Sequence, residues 1–454
     1  MNQRSFITIT NQNDEFSILD ENTPLPSGWE KFSDKSDLET CITFLQKTWE
    51  ERGNQGRCPI SFPIQGVDYK GLEIDALQKE LLRLKRLLWV KPPYGDNAWL
   101  VSNFKEVRSV LRDDRFSRQQ CPFHNESRLT PHPLDTSIMG LDAPDHTRIR
   151  SILDSLFSVS ASLALKDRVE ESAYELIDLL GTPSEPIDLV EEFVMPFSGL
   201  TICEIMGVPF EDRSKFRIWL DSFSSTTLLD ADQVAENMDA MHAYMGELIE
   251  IKRKNLGDDL ISGLTRANEE GKLSDKELLE LITVVLIAGH DTVSAQLMLS
   301  LFVILSDSTL TQQLKEDPNL SNIAIKELLR YIPVDAYITF ARYAKEDVVM
   351  ADGTVIKQGE AVLPSLISAN QDPEVFENPD SLDLNRSKNP HLMFGAGIHI
   401  CPGGILGMIE IKAGICSLFQ RFPNISLAVS PEEIRFREGL QVRSIYELPV
   451  YLKK

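Results

Sequence analysis

One cysteine stands where it can do chemistry. Cys401 closes the stretch Phe394-Gly395-Ala396-Gly397-Ile398-His399-Ile400-Cys401-Pro402-Gly403, just ahead of an apolar helical run from about Ile405 to Phe422. Backbone N–H groups of a glycine-rich turn and a helix N-terminus both favour negative charge, so a thiolate is stabilised there. The alternative is a buried, inert thiol beside a turn. A second group of residues lies in a long apolar helix expected from about Ser274 to Leu305, with Ser274-Asp275-Lys276-Glu277 as its capping box. Its centre reads Ala288-Gly289-His290-Asp291-Thr292. Gly289 permits close approach, and the Thr292 hydroxyl can turn back to the Ala288 carbonyl and distort the ladder, leaving a groove with a hydroxyl and a carboxylate beside it. Glu327 and Arg330 lie at i and i+3 on one helix face amid Ile323, Leu328 and Leu329, and can pair. His146 and Arg150 share one face of a helix starting near Pro144.

The elements that must position these residues are mostly helical. The chain has 454 residues, 42% of them apolar, enough for a sizeable core. No apolar run approaches the ~18–20 residues of a membrane span, and the N-terminus lacks a signal-type apolar core, so a cytoplasmic protein is expected. Six scattered cysteines without CxxC pairs fit reduced thiols. A net charge of −23 argues against a nucleic-acid binder. From about residue 57 helical periodicity dominates, with short strand-like pieces at Ala98–Val101, Val348–Ile356, Ala361–Pro364 and Ser444–Leu452. Residues 1–52 read differently: a strand at Phe6–Ile9, a turn-rich stretch, then a helix with Ser36 as N-cap and Glu39 at its third position. Residues 51–56 read as a linker. The fold class is mainly α with small β-sheets, divided into a small α+β segment over 1–54 and a helical domain over 55–454.

The loop around Cys401, the A-G-H-D-T centre and the E-x-x-R pair together resemble the cytochrome P450 family, over nearly all of residues 57–454. The resemblance implies haem b (iron protoporphyrin IX) with Cys401 as its iron ligand, a thiolate that pushes electron density toward bound dioxygen. It implies that Thr292 hydrogen-bonds the oxygen, that Asp291 supports proton delivery, and that Ala288, Phe394 and Gly403 border the haem. His146, Arg150, Arg342 and His399 match the family's propionate contacts, and Arg386 matches an arginine that joins Glu327 and Arg330 in a structural role. Pro402 removes one backbone N–H beside the ligand. The implied activity is O2-dependent hydroxylation of a small organic substrate. Phe116–Met139, Phe193–Thr227, Ile287, Ala288, Val334–Ile338 and Leu440–Gln441 are expected to line the pocket. No flavin or iron–sulfur stretch is seen in the sequence, so a ferredoxin with its reductase is the implied electron donor, docking near Arg148. A peroxide-using peroxygenase and a haem-bearing recruitment module are the competing readings.

The N-terminal stretch resembles the MbtH-like proteins, partners of the adenylation domains of nonribosomal peptide synthetases. The matched residues are Asn11, Glu15, Ser17, Pro26-x-Gly28-Trp29, Cys41, Phe44, Trp49 and Arg52. Leu19-Asp20 stands where that family has an aromatic–proline pair, and Trp29 matches the second of its two partner-cradling tryptophans. The resemblance implies an adenylation-domain partner for residues 1–52, a peptide or other natural-product pathway, and an amino acid or carrier-tethered aminoacyl substrate.

Overall fold

The computed structural model describes residues 4–63, 72–133, 137–334 and 340–453. Contacts divide the chain into two compact units: Met1–Pro133, Asp335–Asp380 and Gly395–His399 form the first, and Leu134–Val334, Ser381–Phe394 and Ile400–Lys454 the second.

The first unit is built on one nine-stranded sheet. Its strands are β1 (Phe6–Asn11), β2 (Phe16–Asp20), β3 (Trp29–Lys31), β4 (Ile60–Ser61), β5 (Leu88–Lys91), β6 (Ala98–Val101), β7 (Phe116–Ser117), β8 (Arg342–Ala344) and β9 (Ala361–Pro364). They are ordered β3-β1-β2-β4-β5-β6-β9-β8-β7. The N-terminal hairpin therefore does not hang from a tether: β2 pairs in parallel with β4 at Phe16↔Ile60, and β4 with β5. The Ser17 hydroxyl donates to the Ser61 carbonyl (2.7 Å), and Lys91 pairs with Glu15 (2.5 Å). Alternation along β1 and β2 sends Phe6, Phe16 and Ile18 to the face covered by α1 (Leu38–Glu51), where Leu38, Cys41 and Leu45 meet them. That core continues without a break through Leu77, Leu81, Leu88, Val90, Leu100 and Tyr343. The opposite side chains, Ile7, Ile9 and Leu19, form a second small cluster with Trp29 packed against it.

One cap differs from the sequence expectation. Asp37, not Ser36, caps α1, its carboxylate accepting from the Thr40 N–H (2.8 Å). Ser36 is already committed to the sheet, exchanging both backbone hydrogen bonds with Phe6 (2.8 and 2.9 Å), and so cannot turn into the helix. At the C-terminal end the strand-like stretch is also shorter than expected: only Pro449–Tyr451 is strand, pairing with Ser426–Leu427 and Ile187–Asp188.

The second unit is helical. The helices that matter below are α2 (Asp145–Leu156), α3 (Met195–Met206), α4 (Phe216–Ser224), α5 (Asp275–Ser306), α6 (Asn322–Tyr331) and α7 (Gly404–Arg421). The capping box expected at Ser274 and Glu277 is present, and α5 runs for 32 residues, about 48 Å at 1.5 Å per residue. By length and composition it could cross a membrane, contrary to the sequence expectation, but more than half of its most apolar window is buried inside the protein. It is apolar nearly all round because it is packed nearly all round. Gly407 and Gly414 let α7 close on it: a Cβ on Gly414 would come within 2.9 Å of Leu297, and one on Gly407 within 3.7 Å of Val293.

A charge cluster ties α6 to residues 383–389. Glu327, fully buried on α6, accepts from Arg330 Nε and Nη2 (both 2.8 Å), Arg386 Nε (3.0 Å), the Asp383 N–H (3.0 Å) and Asn389 Nδ2 (3.0 Å). The three charges expected to join do so, and every lone pair of the buried carboxylate has a donor, which is what makes such burial tolerable.

Candidate active site

Of the six cysteines, five are buried and only Cys401 is exposed. Burial pushes the thiols of Cys58, Cys121 and Cys203 up to about 12, which leaves them inert. Desolvation raises the pKa of Cys401 as well, and the Gly403 N–H and the nearby Arg150 charge offset only part of that rise. Its backbone N–H donates to the Phe394 carbonyl (2.8 Å), closing the loop just before α7 begins at Gly404. The Phe394 ring lies over Gly404, 3.2 Å from where a Cβ would stand. Pro402 costs the thiol nothing visible, since Gly403 supplies the N–H that serves it.

Arg150 reaches the same loop, its Nη1 donating to the Ile400 carbonyl (2.6 Å) while Nε pairs with Asp154 (2.6 Å). His146, one turn earlier on α2, is buried, and burial together with Arg150 lowers its pKa. Arg342 and His399, the other expected propionate contacts, belong to the first unit. There Arg342 is buried, with Nη1 donating to the Phe340 carbonyl (3.4 Å), and His399 closes the short turn Gly397–His399. Gly397 could be no other residue: φ is +77° and a Cβ would collide with the Leu111 carbonyl.

On α5, Ala288 and Thr292 are exposed one turn apart, with buried or half-buried residues between and around them. The Thr292 hydroxyl donates to the Ala288 carbonyl (2.7 Å), as its spacing predicts. Gly289 does not open this face: it instead admits Ile202 of α3, whose Cδ1 would lie 2.7 Å from an added Cβ. Asp291 accepts from the Ser224 hydroxyl (2.7 Å), and burial pushes its carboxyl up to about 7. Arg148 is not a free docking cation: it pairs with Glu277 (2.5 Å) and donates to the Lys272 carbonyl (2.7 Å).

This donor set fits haem iron. A single exposed thiol at a helix start would serve as a soft ligand to the iron. The adjoining helix, touching α7 at Val293, presents a small residue and a hydroxyl rather than bulk. The expected pocket lining falls partly on residues 134–136 and 335–338, which lie outside the described residues.

A cytochrome P450 family model matches residues 211–443. The mycinamicin IV hydroxylase/epoxidase of Micromonospora griseorubida is 35% identical over 393 residues, 86% of this chain and 98% of its own. The chain belongs to the cytochrome P450 family. It is a haem-thiolate monooxygenase. The nocardicin C N-oxygenase of Nocardia uniformis subsp. tsuyamanensis is 37% identical to this P450 over 80% of the chain and 92% of its own length. The crystal structure of HinD with NMFT and NO superposes with a TM-score of 0.84 at 43% identity, covering 87% of this chain and all of that one. An MbtH-like protein model matches residues 1–57, so the P450 carries an MbtH-like domain at its N-terminus.

Two polar groups of the P450 escaped the sequence reading. Asp221 on α4 holds Arg437 in a bidentate pair (2.9 and 2.7 Å) beside Asp291. Between α3, α5 and α7, Ser198 stands 3.1 Å from His290 Nδ1 and next to buried Glu410, whose carboxyl is pushed up to about 8 by burial. The signals were present in the sequence: Arg217, Asp221 and Ser224 recur at helical spacing, and Glu410 interrupts an apolar run.

Proposed function

We propose that the chain is a cytoplasmic haem b monooxygenase that tailors a natural product, with Cys401 as the iron ligand and a separate ferredoxin and reductase as electron donors. The observation that carries the ligand assignment is the exposure of Cys401 alone among the thiols, at the start of α7. Bound haem supplies dioxygen activation and oxygen transfer. The chain's own residues supply the rest. The Gly403 N–H and the α7 N-terminus favour the thiolate at Cys401 Sγ against the desolvation that raises its pKa. Phe394 and Gly404 fix the loop, and the Glu327 cluster holds the preceding residues 383–389 to α6. The exposed pair Ala288 and Thr292 would leave room beside the group and offer it a hydroxyl, and Asp291 holds a proton near neutral pH. By the family resemblance, His146, Arg150, Arg342 and His399 would serve the propionates as cationic or N–H donors.

Relatives that act on mycinamicin and nocardicin support a small natural-product substrate, and the MbtH-like segment supports an amino acid or carrier-tethered aminoacyl group. The chain is read as an MbtH-like segment over 1–54 and a haem domain over 55–454 that share one sheet. An adenylation domain would meet the segment at its edge, where Trp29 is half-buried on β3 and Leu25 (46%) and Phe44 (39%) are exposed. Thr292→Ala tests the catalytic reading. With ferredoxin, reductase and NADPH, product per electron should fall on the order of 10²-fold while electron uptake continues to peroxide. Undiminished coupling overturns the role of Thr292, and an equal yield from peroxide alone favours a peroxygenase. Capture of an adenylation domain by the full chain, lost in Trp29→Ala, tests the partner.

A further inference from the structure

Against Asp291 of α5, a polar file runs along α4. Arg217, Asp221 and Ser224 recur at i, i+4 and i+7, hence on one face of that helix. At its outer end Arg217 is partly exposed and paired with Glu191. In its middle Asp221 and Arg437 hold each other bidentately, their side chains only 20% and 16% exposed. At its inner end the Ser224 hydroxyl donates to Asp291 Oδ2 (2.7 Å). Arg217, Asp221, Asp291, Ser294, Arg437 and Ser444 form the polar half of the lining of a cavity of about 20 Å³, room for one water, and apolar side chains such as Leu220 and Met298 form the other half. The file is held in register by the C-terminal loop. Gln441 N–H donates to the Ser224 carbonyl (2.7 Å), and the Gly439 carbonyl accepts from the N–H groups of Thr226, Thr227 and Leu228 (2.8, 3.2 and 3.2 Å). Gly439, at φ +73°, has no space for a side chain there.

We propose that Ser224, Asp221 and Arg437 are positioning residues of the proton supply, which reloads Asp291 from solvent at Arg217 through this cavity. The proposal rests on the proton-donor role of Asp291 given above. The proton leaves the Asp291 carboxyl toward the Thr292 hydroxyl, and a proton passed inward through the cavity water restores the carboxyl, so no net charge accumulates. The charged groups that face Asp291 differ in sign. Asp221 disfavours its ionised form, whereas Arg437 favours that form, and the Ser224 O–H also stabilises it by hydrogen bonding. Arg217, lining the same cavity, carries the same charge as Arg437. Asp291 is thereby kept able to hold a proton near neutrality and yet release it.

The two sides of this balance give opposite outcomes. In the ferric holoenzyme, the protonated-carboxyl infrared band of Asp291, identified by its loss in Asp291→Asn, is titrated with pH. Asp221→Asn should lower its midpoint by about one pH unit or more, because the repelling charge goes and Arg437 is left facing Asp291. Ser224→Ala should raise it. The pH profile of product per electron should move with each midpoint. Unmoved midpoints, or shifts of one sign, overturn the proposal. Ser224→Ala removes a single hydroxyl, so its upward shift decides the matter even if Asp221→Asn folds poorly. A carbon-monoxide spectrum of the same samples separates the cases: an absent thiolate band refutes the haem reading, while a normal band with unmoved midpoints refutes only the relay.

Discussion

Phe16→Ala measures how deeply the MbtH-like segment is built into the oxidase. Phe16 is 1% exposed on β2, its ring 5.5 Å from that of Phe32 and 4.9 Å below the Arg52 guanidinium. Its backbone pairs with β1 on one side and with Ile60 of β4 on the other. Truncating a fully buried phenylalanine costs about 3–5 kcal/mol in transfer and cavity terms together. If the sheet opens as one body, that loss is felt by every strand in it. Native-state hydrogen exchange is the assay. Slowly exchanging amides of β5 and β6, such as those of Val90 and Leu100, should accelerate by about two to four orders of magnitude, since ~1.4 kcal/mol is a factor of ten. The amides of β1 and β2 should accelerate equally. Acceleration confined to residues before 57, with β5 and β6 unchanged, would refute the shared-core reasoning. It would mean that the segment unfolds by itself despite the continuous sheet.

Two further perturbations follow from buried carboxyls. Glu327→Gln leaves the guanidiniums of Arg330 and Arg386 short of their counter-charge in a buried site, with side chains 0% and 10% exposed. A loss of about 3–5 kcal/mol is expected in denaturant titration, and a loss under ~1 kcal/mol would contradict the cluster's structural role. Glu410 is buried with its carboxyl pushed from 4.5 up to about 8. A raised folded pKa means the native state holds a proton that the unfolded chain has released. Stability from this group is therefore complete below pH 4.5 and lost as pH rises to about 8. Glu410→Gln, neutral throughout, should gain on the parent by up to about 1.4 kcal/mol per pH unit across that window and level off above it. A pH-independent difference would mean that Glu410 is ionised in the native protein.

Much of the site was legible because its chemistry demands particular residues at short spacings. The Cys401 loop, the Thr292 hydroxyl on the Ala288 carbonyl and the Ser274–Glu277 box are local, and the structure places each at its expected distance or position. The Glu327–Arg330 pair is local too, while Arg386 was reached through a family resemblance. What was hidden is long-range. Nothing near Phe16 announces that it pairs with Ile60, 44 residues on, nor that Ser36 is taken by the sheet and so yields the cap to Asp37. Likewise Asp221 and Arg437 are 216 residues apart and meet only because the C-terminal loop folds over the end of α4. Arg148 shows the converse: an exposed-looking cation in sequence is already engaged by the capping residue Glu277.

The haem-thiolate assignment is tested most directly by the reduced carbon-monoxide difference spectrum of the parent protein beside Cys401→Ser. The parent should show the thiolate-type carbonyl band, and Cys401→Ser should lose it whether or not haem remains bound, because the other five thiols are buried. A thiolate-type band persisting in Cys401→Ser would contradict the account at its centre.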